Sequence, residues 1–201
     1  MHNKVLLFDI WDTFLFKNGD SYDKQISDSL GIPHIIVREI IKSNPNVYNS
    51  ETFFDELKKI NNSVRYDQIK EIETNCINNS YYYNQDKDFF NLLLENNFKI
   101  YTISNSSYLT KIILEKYDLI FNNNFYSYEY GLLKPDVNFL KTVISELKLE
   151  YNNVVVIGND YKKDILPATS LGIKAILLKT EGKKEKKCLS VSKLEEILLF
   201  L

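Results

Sequence analysis

Lys4 to Phe16 reads KVLLFDIWDTFLF. Val5, Leu6, Leu7 and Phe8 form a short apolar run that stops abruptly at Asp9. An apolar run of that length, without alternation, is the pattern of a strand covered on both faces. Asp9 and Asp12 stand just past its carboxyl end, with Trp11 between them. In a parallel sheet that edge is where ligands bind. The question for the rest of the chain is whether other buried strands deliver polar residues to the same edge.

From residue 85 onward the chain alternates. Helical patterns are expected over residues 86–96, 108–116, 136–147, 162–171 and 192–201. Strands are expected over residues 98–103, 119–125, 154–157 and 173–178. Such alternation predicts an α/β fold, a Rossmann-like parallel sheet with helices on both faces. Residues 17–84 differ. Four helical patterns, over residues 22–30, 33–42, 51–60 and 66–77, are punctuated by Gly19-Asp20-Ser21, Asn44-Pro45-Asn46 and Asn61-Asn62-Ser63. No strand is expected there. The segment reads as a helical insert between residues 1–16 and 85–201.

Composition narrows the function classes. The 201 residues are 44% hydrophobic and 26% charged, ordinary for a globular protein, and the net charge of −2 gives no field for nucleic acid. No apolar run reaches the roughly 20 residues of a membrane-spanning helix, and the N-terminal run is cut by Asp9, unlike a secretory signal. Two cysteines, Cys76 and Cys188, are too few for a disulfide framework or a cysteine zinc site, so a reduced, cytoplasmic setting is expected. Of the two histidines, His2 reads as frayed and His34 as a surface or cap residue. Arg38 and Arg65, the only arginines, read as solvated helix charges. Neither a GxG nor a GK[ST] pattern occurs. Lys183 to Lys187, KKEKK, reads as a solvated loop, and Tyr81-Tyr82-Tyr83 as packing at the hinge between insert and core.

Polar clusters follow the first four expected strands. They are Asp9, Trp11, Asp12 and Thr13; then Ser104, Asn105 and Ser106; then Lys134-Pro135-Asp136; then Gly158, Asn159, Asp160 and Asp164. Asp9 suits a nucleophile or a hard oxygen ligand. Asn159, Asp160 and Asp164 offer further oxygens of the kind Mg²⁺ takes. Ser104 can hold a phosphoryl oxygen, and Lys134 supplies positive charge where a phosphoryl group gathers negative charge. Taken singly, Ser104 and Asn159 could be helix N-caps, Asp12-Thr13 a turn and Pro135 a helix start.

In this order and spacing the four clusters resemble the motifs of the haloacid dehalogenase-like (HAD) hydrolase superfamily, mostly Mg²⁺-dependent phosphatases. FDIWDTF looks like the first motif, TISNSS the second, Lys134 in GLLKPD the third and VVVIGNDYKKD the fourth. The resemblance covers residues 1–16 and 85–201 and implies a core domain there, with residues 17–84 as a cap domain. It implies that Asp9 forms an aspartyl-phosphate, that Ser104 binds the phosphoryl oxygen and that Lys134 balances charge. The cofactor Mg²⁺ would be held by Asp9, the main-chain carbonyl of Trp11, and Asn159, Asp160 and Asp164. Thr13, Trp11 and Asn105 would contact substrate. The expected partner is a small phosphorylated metabolite, with no nucleic acid and no membrane.

Two positions depart from the family pattern. Trp11 stands where phosphatases carry a second Asp as general acid and base. Asp12, three residues from Asp9, does not share its direction in extended chain. In the fourth motif Asn159 follows Gly158 where Asp is usual, so Asn159 and Asp160 remain alternatives as ligands. A 2-haloacid dehalogenase, in which an Asp attacks carbon without metal, and a non-catalytic binding protein of the same fold are the competing expectations.

Overall fold

The computed structural model describes residues 4–179 and 188–201. His2 and Lys183 to Lys187 lie outside the described residues. A six-stranded sheet orders its strands β5-β4-β1-β6-β7-β8, and every pairing is parallel. Its strands are β1 (Val5–Phe8), β4 (Lys99–Ser104), β5 (Asn123–Tyr126), β6 (Val154–Gly158), β7 (Lys174–Leu178) and β8 (Leu189–Val191). β2 (Leu15–Lys17) and β3 (Ser80–Tyr82) form a separate antiparallel ribbon.

The apolar run that opens the chain lies between β4 and β6, with Phe8 in register with Thr102 and Ile157. Both its faces are covered. Leu6 and Phe8 join one core cluster with Phe14, Phe90 and Phe98, while Leu7 points to the other with Phe139, Val143 and Ile165. In β6, Val155 and Ile157 enter the first cluster and Val154 and Val156 the second. That period-two division is why neither strand alternates with polar residues.

The helices between core strands are α5 (Asn84–Glu95), α6 (Tyr108–Lys116), α7 (Ser127–Tyr130), α8 (Val137–Glu146) and α9 (Leu166–Ser170). The chain between the two ribbon strands folds into α1 (Tyr22–Leu30), α2 (His34–Ser43), α3 (Ser50–Ile60) and α4 (Tyr66–Asn79). A reciprocal capping box of Asn49 and Thr52 starts α3, and Gly31 in the left-handed region (φ 64°) ends α1. Among the described residues no helix is long and apolar enough to cross a membrane.

Several elements differ from expectation for local reasons. The ribbon shows no periodicity because each strand is three residues long. It is held by ring packing: Phe16 stacks on its cross-strand partner Tyr81 at 5.6 Å, and Tyr82 meets Tyr117 edge-on at 4.9 Å. The strand expected over residues 119–125 starts only at Asn123, because Leu119 and Phe121 are spent in the core below the sheet. The helix expected over residues 162–171 is divided. Tyr161–Ile165 form a π-turn capped by Asp160, and Pro167, which has no N–H to donate, sits in the first turn of α9. The last expected helix is a 3-10 segment, Leu194–Phe200, and β8 before it was not expected.

Candidate active site

The strand ends converge as the sequence implies. Asp9 continues the pairing of β1, its N–H donating to Ile157 O at 2.8 Å. The chain then turns back sharply. The N–H groups of Thr13, Phe14 and Leu15 all point at Ile10 O (3.2–3.3 Å), and Asp12 takes a positive φ of 60°. Aspartate tolerates that conformation better than most residues. The turn separates the two carboxylates. The Asp9 side chain is 10% exposed, whereas that of Asp12 is 57% exposed and faces Lys17 at 3.7 Å.

Lys134 joins two of the expected groups. Its ammonium donates to Asp9 Oδ1 (2.5 Å), Asp164 Oδ1 (2.6 Å) and Ile103 O (3.1 Å). Three donors meet three acceptors, so this buried charge is fully satisfied. Asn105 fixes the lysine from behind. Its Oδ1 accepts the Lys134 N–H at 2.7 Å and its Nδ2 donates to Lys134 O at 2.8 Å. Thr13 Oγ1 donates to Asp9 Oδ2 at 3.1 Å. Asp164 Oδ2 accepts the Asp160 N–H at 3.0 Å, directly over Gly158. A Cβ at position 158 would lie 2.4 Å from that oxygen, so only glycine lets the carboxylate approach.

Burial pushes the Asp9 carboxyl up to about 6; the Lys134 ammonium opposes the rise and the Asp164 carboxylate adds to it. Burial also disfavours the Lys134 ammonium, but the two carboxylates outweigh it and hold its pKa above the ordinary lysine value.

Asp9, Trp11, Ser104, Asn105, Lys134, Asn159, Asp160 and Asp164 all line one cavity of about 280 Å³, with Thr13 just behind. Trp11 is held against α6 by its indole N–H, which donates to Thr110 Oγ1 at 3.1 Å, and Lys17 lies 5.4 Å over its ring. Asp160 is committed elsewhere. Its Oδ1 accepts from the N–H groups of Lys162 and Lys163 at 2.8 and 3.0 Å, and its Oδ2 meets Lys163 Nζ at 3.1 Å.

The donor set suits a hard cation. Asp9 and Asp164 are carboxylates, each with lone pairs beyond those given to Lys134, and Asn159 adds an amide oxygen at the same wall. Among the described residues no three acidic, His or Cys side chains form a closed cage. Mg²⁺ characteristically takes one or two carboxylates and completes its shell with water and substrate oxygens, so an open set of this kind fits it.

The opposite wall comes from α1 and α2. Asp23 Oδ2 accepts from Lys42 Nζ at 2.9 Å and faces His34 Nε2 at 3.0 Å, while Asp23 Oδ1 has no hydrogen-bond partner. Burial alone would raise the Asp23 carboxyl, but the Lys42 ammonium outweighs it and holds it down to about 2. Arg38 and Cys76 line the same cavity, the Cys76 thiol pushed up by burial to about 11. Below this wall, Glu73 of α4 is buried under four donors. They are Tyr22 OH (3.1 Å), Tyr108 OH (2.5 Å), Ser50 Oγ (2.8 Å) and Lys70 Nζ (2.6 Å).

Sequence reasoning missed Asp23, Lys42 and Glu73 and took Arg38 for a solvated charge. One signal was present: Glu73 sits on a helical face between Ile69 and Ile77, and Asp23 on a face with Ile26 and Leu30. An acid on an apolar stripe is either paired or functional.

Residues 132–196 match the HAD-hydrolase-like family. A search of curated proteins finds no match. Among solved structures the chain is similar to an HAD phosphatase from Thermococcus onnurineus, with a TM-score of 0.67 at 18% identity over 98% of this chain and 97% of that one. It is similar to an HAD family enzyme from Bacteroides thetaiotaomicron in complex with magnesium and inorganic phosphate (0.67, 16%, covering 90% and 97%). It is equally similar to a 2-haloacid dehalogenase from Pseudomonas syringae pv. Tomato (0.66, 15%, covering 98% and 96%).

Proposed function

This chain has the haloacid dehalogenase-like hydrolase fold and the family's sequence over residues 132–196, and from that premise we propose that it is a Mg²⁺-dependent phosphatase of small phosphorylated metabolites. The observation that carries the reading is the Asp9–Lys134–Asp164 chain of contacts at 2.5 and 2.6 Å, in one cavity with Ser104. Residues 1–16 and 85–201 serve as the core domain and residues 17–84 as a cap that closes the cavity.

Asp9 is the nucleophile. Its carboxylate oxygen bonds to phosphorus as the ester O–P bond breaks, leaving an aspartyl-phosphate that water then hydrolyses. Lys134 keeps Asp9 ionised and offsets charge gathering on the phosphoryl oxygens. Ser104 donates its hydroxyl to one of those oxygens. Asn105 acts by positioning Lys134, since both ends of its amide are bonded to that residue's backbone. Mg²⁺, when bound, supplies positive charge to the phosphoryl group, and Asp9, the Trp11 carbonyl, Asn159 and Asp164 would hold it. Asn159 is preferred to Asp160 because the Asp160 carboxylate is taken up by the turn that follows it.

The leaving alkoxide needs a proton, and the position that usually provides one is an indole tied to Thr110. Substrates with good leaving groups are therefore favoured. Phosphate release from a panel of small phosphomonoesters, dependent on Mg²⁺ and abolished in Asp9→Asn, is the expected result; release that survives Asp9→Asn would refute the assignment. One observation favours a second reading: an aromatic residue at position 11 also suits the 2-haloacid dehalogenase branch. Halide release without Mg²⁺ would select it.

A further inference from the structure

The peptide that joins Trp11 to Asp12 is fixed at one end by the backbone. The Asp12 N–H donates to Leu15 O at 2.8 Å, which sets the plane of that peptide. In a trans peptide the carbonyl points opposite to the N–H, so Trp11 O faces away from Leu15. The remaining N–H groups of the turn, those of Thr13, Phe14 and Leu15, all point at Ile10 O. Among the described residues none donates a hydrogen bond to Trp11 O. Trp11 lines the same cavity as Asp9 and Asp164, and a free main-chain oxygen beside two carboxylates is a hard donor for a cation.

The other end is fixed by the side chain. The Trp11 indole N–H donates to Thr110 Oγ1 at 3.1 Å, and Lys17 lies 5.4 Å over the ring while pairing with Asp12 at 3.7 Å. Thr110 is buried, lines the cavity and belongs to the first turn of α6. A helical threonine commonly turns its hydroxyl onto a carbonyl one turn back, as Thr74 and Thr169 do with Lys70 O and Ile165 O. Among the described residues Thr110 Oγ1 bonds no such carbonyl, and its bond reaches across 99 positions of sequence to Trp11. The turn that carries it follows directly on Ser104 to Ser107, which also line the cavity. One turn of α6 thus holds the loop after β4 by chain continuity and the loop after β1 through a single oxygen.

We propose that Thr110 is a positioning residue for the cation: through the indole it holds the Trp11 carbonyl at the angle at which Mg²⁺ takes it as a ligand. The inference rests on the Mg²⁺-dependent reading of the site. It gives the indole a task at a position where a carboxylate is usual: a proton donor is exchanged for an anchor. Partners that orient a metal ligand without touching the metal are each worth about 10- to 100-fold in affinity.

The test is a calorimetric titration of the substrate-free protein with Mg²⁺, which reads binding without turnover. The emission of Trp11, the one tryptophan of the chain, gives a second readout in variants that keep it. Thr110→Val keeps the shape and removes the acceptor; it should weaken Mg²⁺ binding by about tenfold or more. Thr110→Ser restores the oxygen and should stay within about twofold of wild type. Trp11→Phe keeps the carbonyl and removes the N–H, so it should weaken binding as Thr110→Val does, and it decides the matter alone if Thr110→Val does not fold. The double variant should be no weaker than either single one, because both cut the same bond. Melting curves without Mg²⁺ show which variants are folded; a merely structural role would lower the melting temperature and leave the affinity of the folded protein unchanged. Affinity within about twofold of wild type in folded Thr110→Val or in Trp11→Phe, or losses that multiply in the double variant, overturns the role of Thr110 while leaving the Mg²⁺ site intact. Wild-type protein that binds no Mg²⁺ removes the Mg²⁺-dependent reading and this inference with it.

Discussion

Trp11 is the residue at which local packing and chemistry pull apart. Its indole is tied to Thr110 and covered by Lys17, so it braces the loop that carries Asp9 against α6. The same position can do no proton transfer. Trp11→Asp should raise turnover of alkyl phosphates relative to p-nitrophenyl phosphate, by up to about 10²-fold given what a positioned general acid contributes. An unchanged ratio between the two substrates would mean that the missing proton is already supplied from elsewhere. Asn105 gives a prediction of the opposite character. Asn105→Ala removes two hydrogen bonds to the Lys134 backbone and leaves a buried N–H unpaired. It should lower stability by about 1–3 kcal/mol in chemical denaturation. It should also lower kcat more than KM, because a displaced ammonium affects the transition state before it affects substrate capture.

At the scale of elements, one buried carboxylate on α4 ties α1 and α3 to α6. Glu73 accepts from Tyr22 of α1, Ser50 of α3 and Tyr108 of α6. Glu73→Ala strands those hydroxyls and the Lys70 ammonium together and should destabilise the protein by about 3–5 kcal/mol, the range for breaking a buried charged network. Glu73→Gln keeps an acceptor in place and should cost distinctly less; equal losses in thermal melts of the two variants would show that the carboxylate charge is irrelevant. The network also marks where sequence reading ended. β1 and β6 were legible because each is a continuous apolar run, and β4 because Ile100, Tyr101, Thr102 and Ile103 are β-branched or aromatic; the polar residues after them could be assigned to one edge by topology alone. The ribbon was not, because three residues carry no period. Nor was the Glu73 cluster, because its partners lie on three different helices and only tertiary packing brings them together. Asp12 was legible in its effect: the turn holds it at the rim, apart from Asp9.

The molecule as a whole carries acids whose pKa values move in opposite directions on folding, and this fixes the shape of its stability against pH. Asp23 is held down to about 2 by Lys42 despite its burial, below the roughly 3.9 of an unfolded aspartate. Its contribution is present above pH 4 and is lost as pH falls toward 2. Asp86, in the first turn of α5, is raised to about 6, first by burial and then by the nearby Glu195. The folded state therefore binds the Asp86 proton more tightly than the unfolded chain does. That contribution is fully present below pH 4 and disappears as pH rises through 6. A two-unit difference corresponds to just under 3 kcal/mol, which partial solvent screening of this carboxyl reduces to about 1 kcal/mol. Asp9 shifts in the same direction when no cation is bound, so the bare slope of the wild type mixes the two acids. Comparing wild type with Asp86→Asn separates them. At pH 7.5 the variant, which has no charge to bury, should be more stable by about 1 kcal/mol, somewhat less if the helix loses the benefit of an acid in its first turn. At pH 4, where Asp86 is already neutral in the folded protein, the advantage should vanish. Denaturation curves that differ by the same amount at both pH values would show that the substitution acts through packing, and that the Asp86 carboxyl is not titrating in this window.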